Sequence, residues 1–276
     1  MVCALKGRYI KIFILTLCLL APAYAGKIEK IRANGVLRVA MQMRDESPFV
    51  LKTGKKHLTG IDVRIGKRIA KHLGVDVKFI RTVKTPDQVV RQVERGEADI
   101  AISNLSITLD RALRVGFSSP YIHLHKAVIL SQKHFNLLKK NDNETLRTFF
   151  SGKNKLGVMK ESSYVEFARV EFPNAELVEY DDWDQLVQDL NEGKVAGGFW
   201  DQFEIEKVVL TEPHGLLNYF VVQLQVPTDK VAIALPKNDV HFLRWINTFM
   251  EIEVNILSAR DLAISYMKYG RENESR

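Results

Sequence analysis

Residues 58–103, LTGIDVRIGKRIAKHLGVDVKFIRTVKTPDQVVRQVERGEADIAIS, contain the pattern that decides the fold class. Apolar side chains recur four residues apart at Ile65, Ile69 and Leu73, with lysines and arginines between them. This spacing predicts an amphipathic helix with one buried face. Gly74 follows directly and suits the left-handed residue that ends many helices. The opening part of the stretch is therefore interpreted as a helix.

A strand, a second helix and another strand complete this stretch. VDVKFI (75–80) alternates and then becomes apolar, as a strand does. Thr85 can cap the helix that follows, Pro86 suits its first turn and Gly96 ends it. ADIAIS (98–103) is the next predicted strand. Strands that alternate with helices in this way predict a mostly parallel α/β sheet.

The same order of elements recurs in the second half of the chain. Strands are predicted at KLGVMK (155–160), AELVEY (175–180) and VAGGFW (195–200). Ser162 and Ser163 can cap one predicted helix, and Asp181 and Asp182 begin another. The recurrence predicts two α/β lobes of similar build. The strand-like stretches ILSQK (129–133) and VAIALPK (231–237) flank the second unit and are candidates for crossovers between the lobes.

The first 25 residues are expected to be a signal peptide. Lys6, Arg8 and Lys11 give it a basic start, residues 12–20 are apolar, and small residues precede a predicted cleavage after Ala25. Nine apolar residues are too few to span a bilayer, which needs about 20. The remaining chain is predicted to form a first lobe from residues 26–130 plus 232–276 and a second lobe from residues 131–231.

Composition excludes several classes of protein. The chain of 276 residues is 46% hydrophobic and 26% charged, which is typical of a globular protein and not of a disordered one. Its formal net charge of +7 is reduced by cleavage of the basic signal, and no basic run suggests nucleic-acid binding. Cleavage also removes Cys3 and Cys18, so no disulfide is expected. His123 and His125 lack a third ligand nearby in sequence, and no metal or cofactor is predicted.

Arg111 is the first candidate ligand-binding residue. Thr108 is predicted to cap a short helix that holds Arg111 in its first turn, where a positive charge opposes the helix dipole. A bound anion compensates this, and the hydroxyl groups of Ser103 and Ser106 with the amides of a helix start suit a carboxylate. An ordinary surface ion pair of Arg111 with Asp110 or a glutamate is the alternative.

Asp201 is the second candidate, because it follows directly on the apolar strand 195–200. The carboxyl ends of strands in an open α/β sheet face the ligand crevice, where an acid can bind an ammonium group. The alternative is an ordinary helix cap for the segment QFEIEKVV that follows.

Five segments together resemble the family-3 solute-binding proteins, the periplasmic amino-acid receptors of ABC importers. They are GVLRVAM (35–41), SPF (47–49), LTGIDVRIGKRIAKHLGVDV (58–77), VERGEADIAISNLSITLDRA (93–112) and VGFSSPY (115–121). The resemblance extends over nearly the whole chain after the signal. It implies an α/β, two-lobed periplasmic-binding-protein type II fold in which two crossover strands form the hinge.

The resemblance also implies roles for single residues of the first lobe. Arg111 matches the arginine of the family's ITxxR motif and is expected to hold the ligand's carboxylate. Asn104, Leu105 and Ser106 match the small polar run before it, whose backbone and hydroxyl complete the contacts to the α-carboxylate and α-amine. Phe49 is expected to line the cleft.

In the second lobe the resemblance implies an amine-binding role for Asp201. The family's Gly-Ser/Thr-Thr segment matches Glu161, Ser162 and Ser163, so a glutamate replaces the usual glycine. Glu46 stands where an aromatic residue often stacks on the ligand. Two acids near the expected pocket favour a cationic ligand side chain by charge complementarity, unless both point to solvent.

The predicted function follows from this resemblance. It implies a monomeric periplasmic protein that captures a free amino acid, with a polar or basic one favoured, and delivers it to an ABC permease in the inner membrane, without catalysis. Two alternatives remain. One is an exported enzyme on the same fold, similar to dehydratases of cyclic carboxylic acids, and the other is a sensing receptor without a transport role.

Overall fold

The computed structural model describes residues 26–54, 57–140, 144–257, 261–262 and 264–267. The predicted signal peptide lies outside these residues. The elements of the first half are α1 (Lys27–Asn34), β1 (Val36–Gln42), β2 (Leu51–Thr53), β3 (His57–Thr59), α2 (Ile61–Leu73), β4 (Asp76–Val83), α3 (Pro86–Glu94), β5 (Ile100–Ala101), α4 (Leu109–Arg114), β6 (Val115–Phe117), β7 (Ile122–Leu124) and β8 (Lys126–Ser131).

The second half continues the alternation of helices and strands. Its elements are α5 (Gln132–Lys139), α6 (Leu146–Phe149), β9 (Leu156–Met159), α7 (Ser163–Glu171), β10 (Leu177–Tyr180), α8 (Trp183–Asn191), β11 (Gly197–Asp201), α9 (Gln202–Thr211), α10 (Gly215–Asn218), β12 (Tyr219–Gln223), β13 (Asp229–Val231), β14 (Ala234–Pro236) and α11 (Val240–Glu253). No helix in the described residues is long and apolar enough to cross a membrane.

Ten of the fourteen strands in the described residues form two five-stranded sheets, and the other four form two-stranded pairs. The first has the order β4-β1-β5-β14-β6, in which β1 runs parallel to β4 and β5, and β14 runs antiparallel to β5 and β6. The second has the order β10-β9-β11-β8-β12, in which β9 runs parallel to β10 and β11, and β8 runs antiparallel to β11 and β12. Each sheet with its helices is called a lobe below, and the expected two-lobed α/β fold is confirmed.

Local sequence signals explain where the helices of the first lobe begin and end. The apolar face of α2 is buried through Ile65, Ile69 and Leu73, and Gly74 ends the helix in the left-handed conformation. The hydroxyl of Thr85 accepts a hydrogen bond from the Gln88 amide, and the Gln88 side chain bonds back to the Thr85 amide, which closes a capping box at α3. Both helices were predicted from these residues.

A short two-stranded ribbon of β7 and β13 joins the lobes. Its antiparallel register pairs Leu124 with Asp229 and Ile122 with Val231. The crossovers predicted at 129–133 and 231–237 were therefore misplaced. Residues 129–131 lie inside β8 of the second sheet, while β14 returns to the first sheet.

The sheet pairing also bears on the predicted lobe boundaries. Residues 126–130 belong to β8, so they lie with the second sheet although the sequence assigned them to the first lobe. The division into residues 26–130 plus 232–276 and residues 131–231 otherwise stays a prediction. The ribbon is the natural place for the division, because the chain passes between the sheets there.

Candidate functional site

A cavity of ≈ 850 Å³ lies between the two lobes. From the first lobe it is lined by Glu46, Asn104, Ser106 and Arg111. From the second lobe it is lined by Glu161, Ser162, Ser163 and Asp201. The structure thus brings together eight of the ten residues that the sequence nominated. We call this space the cleft cavity.

The guanidinium group of Arg111 is buried at one wall of the cleft cavity. Thr108 caps α4 by accepting a hydrogen bond from the Arg111 amide, as expected. The Arg111 side chain is 2% exposed; Nε donates to Asp87 Oδ1 at 2.8 Å, and Nη1 donates to the Ser106 carbonyl at 3.0 Å. Nη2 is buried and has no hydrogen-bond partner among the described residues. A buried cation with an unused donor suits an anionic ligand group.

The alternative of a surface ion pair between Arg111 and Asp110 is wrong. Asp110 is paired instead with Arg114, one helical turn away, at 2.8 Å. Arg111 points inward to α3, where Asp87 lies. This ion pair also explains how a first-turn arginine is tolerated against the helix dipole.

Ser106 and Ser163 bridge the two lobes at the floor of the cleft cavity. The Ser163 hydroxyl donates to Ser106 Oγ at 2.8 Å, and the Ser106 hydroxyl donates to Asp229 Oδ2 at 2.8 Å. Asp229 lies on the ribbon and is 2% exposed, and burial raises its pKa to about 6. Asp229 was not among the site residues predicted from the sequence. No motif marks it, and only the pairing of Ser106 with Val231 brings it beneath the site.

Asp201 has the helix-cap role considered from the sequence, and it also lies at the cleft cavity. It ends β11 and caps α9, since its Oδ1 accepts a hydrogen bond from the Glu204 amide at 2.9 Å. It also lines the cleft cavity and is 2% exposed. Burial raises the pKa of Asp201 well above its usual value, and the negative charges of Glu204 and Asp229 raise it further. A positive ligand group beside it would stabilise the ionised form.

Glu46 faces the cleft cavity and is held there by amide groups. Its carboxylate accepts hydrogen bonds from Asn104 Nδ2 at 2.9 Å and from Gln42 Nε2 at 3.3 Å. Burial of the carboxyl group raises the pKa of Glu46, and the charge of Glu204 raises it further. Asn104 itself has a positive φ of 47°, and its backbone amide donates to Asp62 Oδ2 at 2.8 Å.

Glu161 reaches from the second lobe to the first. It accepts a hydrogen bond from Thr85 Oγ1 at 2.7 Å and pairs with Arg91 at 3.2 Å, both on or beside α3. The hydrogen bond from Thr85 and the charge of Arg91 lower the pKa of Glu161, although partial burial opposes this. Its backbone φ is 50°, a conformation that glycine adopts more easily. The carboxylate thus closes the edge of the cleft.

Phe49 does not line the cleft cavity, contrary to expectation, and the side chain of Leu105 does not line it either. Phe49 is 1% exposed and packs edge-to-face on Phe203 at 6.5 Å between ring centroids. Leu105 is fully buried with the apolar face of α3, and its carbonyl accepts from the Ala232 amide at 2.9 Å. Both side chains belong to the hydrophobic core. The sequence alone does not show whether an apolar side chain lies in a core or lines a cleft. The aromatic wall is supplied instead by Trp200, which stacks on Tyr164.

No group of three or more His, Cys, Asp or Glu side chains that could hold a metal occurs in the described residues. His123 and His125 have exposed side chains on and after β7. Charged side chains from both lobes line the cleft cavity. Arg111 contributes a guanidinium group to the lining. Glu46, Asp201 and Asp229 contribute carboxyl groups.

Comparisons with known proteins agree with this architecture. The chain is 25% identical over 185 residues to the ABC transporter arginine-binding protein 1 of Escherichia coli, which covers 67% of each protein. It is 26% identical over 237 residues to the cyclohexadienyl dehydratase of Pseudomonas aeruginosa, covering 83% of this chain and 82% of the relative.

Among solved structures, a similar one is the amino acid ABC transporter substrate-binding protein AbpA of Streptococcus pneumoniae bound to L-arginine. Its TM-score is 0.67 at 23% identity, and the match covers 88% of this chain and 98% of that one. At this identity the likeness concerns the fold. The family model of the bacterial extracellular solute-binding proteins, family 3, matches residues 37–255. This match covers most of the chain, which therefore belongs to that family.

Proposed function

We propose that the protein is a periplasmic receptor that captures a free amino acid between its lobes and delivers it to an ABC permease. The observation that carries this proposal is the buried Arg111 with its unpaired Nη2, which faces buried carboxylates across the cleft cavity. Such an arrangement matches the two charges of a zwitterion. The same two lobes supply both charges, so a ligand that contacts both stabilises the closed arrangement.

The ligand's α-carboxylate is assigned to Arg111 and to the start of α7. Nη2 of Arg111 is the free donor, and Ser162 and Ser163 lie at the positive end of that nine-residue helix. Ser106 contributes its carbonyl indirectly, because it holds Nη1 of the same guanidinium.

The ligand's ammonium group is assigned to Asp201. Burial raises the pKa values of Asp201, Asp229 and Glu46, so a positive ligand group beside them would favour their ionised forms. One ammonium group serves Asp201 and the Ser106 hydroxyl. Glu46, held by Asn104 at another part of the wall, favours a polar or basic ligand side chain. The arginine-binding relative and the arginine complex of AbpA agree with that preference.

An enzyme on the same fold is the second candidate. The dehydratase relative motivates it, together with the raised pKa of Asp201, which favours the protonated form that a proton donor needs. Arg111 would then hold the carboxylate of a cyclic acid. A third arrangement, a sensing receptor without a permease, would use the same binding site.

A thermal-shift screen of residues 26–276 against the twenty amino acids, ornithine and citrulline tests the proposal. A ligand at 100 times its dissociation constant adds about 2.7 kcal/mol to the free energy of unfolding. A shift with one or a few amino acids supports the receptor. Absence of any shift, together with turnover of a prephenate-like cyclic acid, would replace it by the enzyme.

A further inference from the structure

The side chain of Asp229 makes contacts that the main-chain pairing of the ribbon does not need. The ribbon is held by main-chain pairing of β13 with β7, and Asp229 is paired there with Leu124. Its side chain turns to the cleft cavity, where Oδ2 accepts from the Ser106 hydroxyl. Oδ1 is buried and has no hydrogen-bond partner within the described part of the chain. A carboxylate placed in this way orients the Ser106 hydroxyl and thereby affects the groups that this hydroxyl contacts.

The hydrogen-bond pattern fixes what Ser106 can offer to a ligand. A hydroxyl group has one hydrogen and two lone pairs. The hydrogen of Ser106 is directed to Asp229, and one lone pair accepts the hydrogen of Ser163. What remains is an acceptor. An acceptor suits an N–H group of the ligand and repels an oxygen that has no hydrogen to donate.

We infer that Asp229 is a positioning residue that holds the Ser106 hydroxyl as a hydrogen-bond acceptor and so makes the site select amino acids over the corresponding 2-oxo acids. The inference rests on the proposed function, since it assumes an α-amino acid in the cleft cavity. Asp229 is a residue beyond Arg111 and Asp201, which the proposed function assigns to the two charges of the zwitterion. It lies on the ribbon that joins the lobes.

Charged groups from three elements and one neutral hydroxyl group face this carboxyl group. Arg111 of α4 and Lys126 of β8 favour its ionised form, whereas Asp201 of β11 opposes it. The hydroxyl of Tyr164 on α7 lies beside it. Burial sets the pKa near 6, so at neutral pH Asp229 accepts only. In acid its own proton can be donated to Ser106 Oγ, which frees the Ser106 hydrogen to turn toward the ligand.

The test uses Asp229→Asn in the 26–276 protein, with affinity for L-arginine and for 2-oxo-5-guanidinopentanoate measured by titration calorimetry. If the screen assigns another amino acid, that amino acid and its 2-oxo acid are used. The asparagine amide can donate to Ser106 Oγ and reverse the hydroxyl. The affinity ratio is the affinity for the amino acid divided by the affinity for its 2-oxo acid. We expect this ratio to fall about tenfold or more in Asp229→Asn, as for loss of a hydrogen bond to a charged group. Asp99→Asn is the matched control, because Asp99 is also a buried aspartate but pairs with Arg38 and does not line the cleft cavity.

A double-mutant cycle with Ser106→Ala separates positioning from a structural role. If Asp229 acts through Ser106, Asp229→Asn changes the affinity ratio little in the Ser106→Ala background. The pH profile is a further readout that does not depend on the Asp229 variant folding. The ratio for the wild type is expected to fall between about pH 7.5 and about pH 5, and this part of the fall is expected to be absent in Ser106→Ala.

The outcomes separate the two proposals. A wild-type ratio in Asp229→Asn, or effects of the two substitutions that simply add, would overturn the role of Asp229 and leave the receptor intact. A wild-type protein that binds no amino acid would overturn both. Amino-acid binding with an affinity ratio that falls in Asp229→Asn and does not fall in Asp99→Asn would support both.

Discussion

Arg111 is a residue whose position is explained by what it contacts. In the first turn of α4 its charge opposes the helix dipole, yet Asp87 and the Ser106 carbonyl hold two of its nitrogens inside the protein. The remaining nitrogen has no partner among the described residues. A buried donor without a partner costs free energy, and a ligand group that accepts its hydrogen bond removes this cost.

The first prediction concerns removal of this cation. Arg111→Ala should weaken amino-acid binding by about 2–5 kcal/mol, because a buried hydrogen-bonded charge pair loses one member. Titration calorimetry measures the loss. Arg114→Ala on the same helix is the matched control, because Arg114 pairs with the exposed Asp110, and its binding should change by less than about 0.5 kcal/mol. Equal affinities in Arg111→Ala and wild type would contradict the assignment.

The second prediction concerns the proton on Asp201. Its pKa is raised by burial in the free protein, whereas an ammonium group favours the ionised form. Binding should therefore release a proton, and the affinity should rise as the pH rises toward the raised pKa. Calorimetry in buffers of different ionisation enthalpy counts the protons released. In Asp201→Asn the release should decrease and binding should weaken, and an unchanged release would assign the proton to another group.

At this scale the sequence identified residue types better than it identified partners. Arg111, Ser106, Ser163 and Asp201 meet in one cavity as predicted. Asp229 escaped because its role depends on a contact across 123 positions of the chain. Phe49 was misassigned, since nothing in a local motif shows whether an apolar side chain faces a cleft or a core.

At the scale of elements, α3 has a second task beyond packing on the sheet. The Thr85 hydroxyl caps the helix by accepting from Gln88 and also donates its own hydrogen to Glu161 of the other lobe. Arg91, further along α3, pairs with the same carboxylate. The sequence predicted the cap and the helix. It gave no indication of the contact across the cleft, because Glu161 stands where the family has glycine.

The third prediction concerns this contact. Glu161→Gln should increase the open fraction of the free protein and raise the apparent dissociation constant, because only the closed form has a complete site. Arg91 and Glu161 are partly exposed, so the change should be about 0.2–1 kcal/mol and should shrink at high salt. Small-angle scattering and calorimetry measure the two effects.

Glu176→Gln is the control for that experiment. It breaks the pair of Lys155 and Glu176, which are 2.7 Å apart and both lie in the second lobe. It should leave the radius of gyration and the affinity unchanged. A change as large as that of Glu161→Gln would mean that charge removal alone, and not the contact between lobes, is responsible.

Among the elements, long periodic segments were predictable and short ones were not. α2, α3 and the parallel strands carry their own signals of spacing and capping. β7 and β13 are three residues long, too short for a pattern, and the apolar run of β8 was taken for the crossover instead. Pairing across distant parts of the chain decides which short strand joins the lobes.

On the scale of the whole molecule, bonds cross the cleft at several points. Ser163 reaches Ser106 at the floor, Glu161 reaches Thr85 at one edge, and Lys207 donates to the Ser47 carbonyl at 3.0 Å elsewhere. The structure is therefore a closed arrangement of the lobes. The two-stranded ribbon at the back leaves relative rotation of the lobes as the simplest way to open it.

The fourth prediction concerns the order in which the lobes fold. β14 is the fourth strand of the first sheet's order, between β5 and β6, but it comes after the whole second sheet in sequence. Trp183 and Trp200 pack in the second lobe, and Trp245 packs in the first. Tryptophan fluorescence during refolding measures this order. The signal of a variant that keeps only Trp183 and Trp200 should change no later than that of a variant that keeps only Trp245, because the first sheet needs the longer loop closure. An earlier signal from Trp245 would contradict this order.

The insertion of β14 between β5 and β6 has a consequence for chains of incomplete length. A ribosome makes the first lobe's opening strands early, yet their sheet stays unfinished until residues 234–236 have been added. The second sheet, complete by Gln223, has all its strands by then. A transcript cut short before β14 would thus yield one finished lobe beside an exposed sheet edge, a product suited to proteolysis and unable to compete with the full protein for ligand.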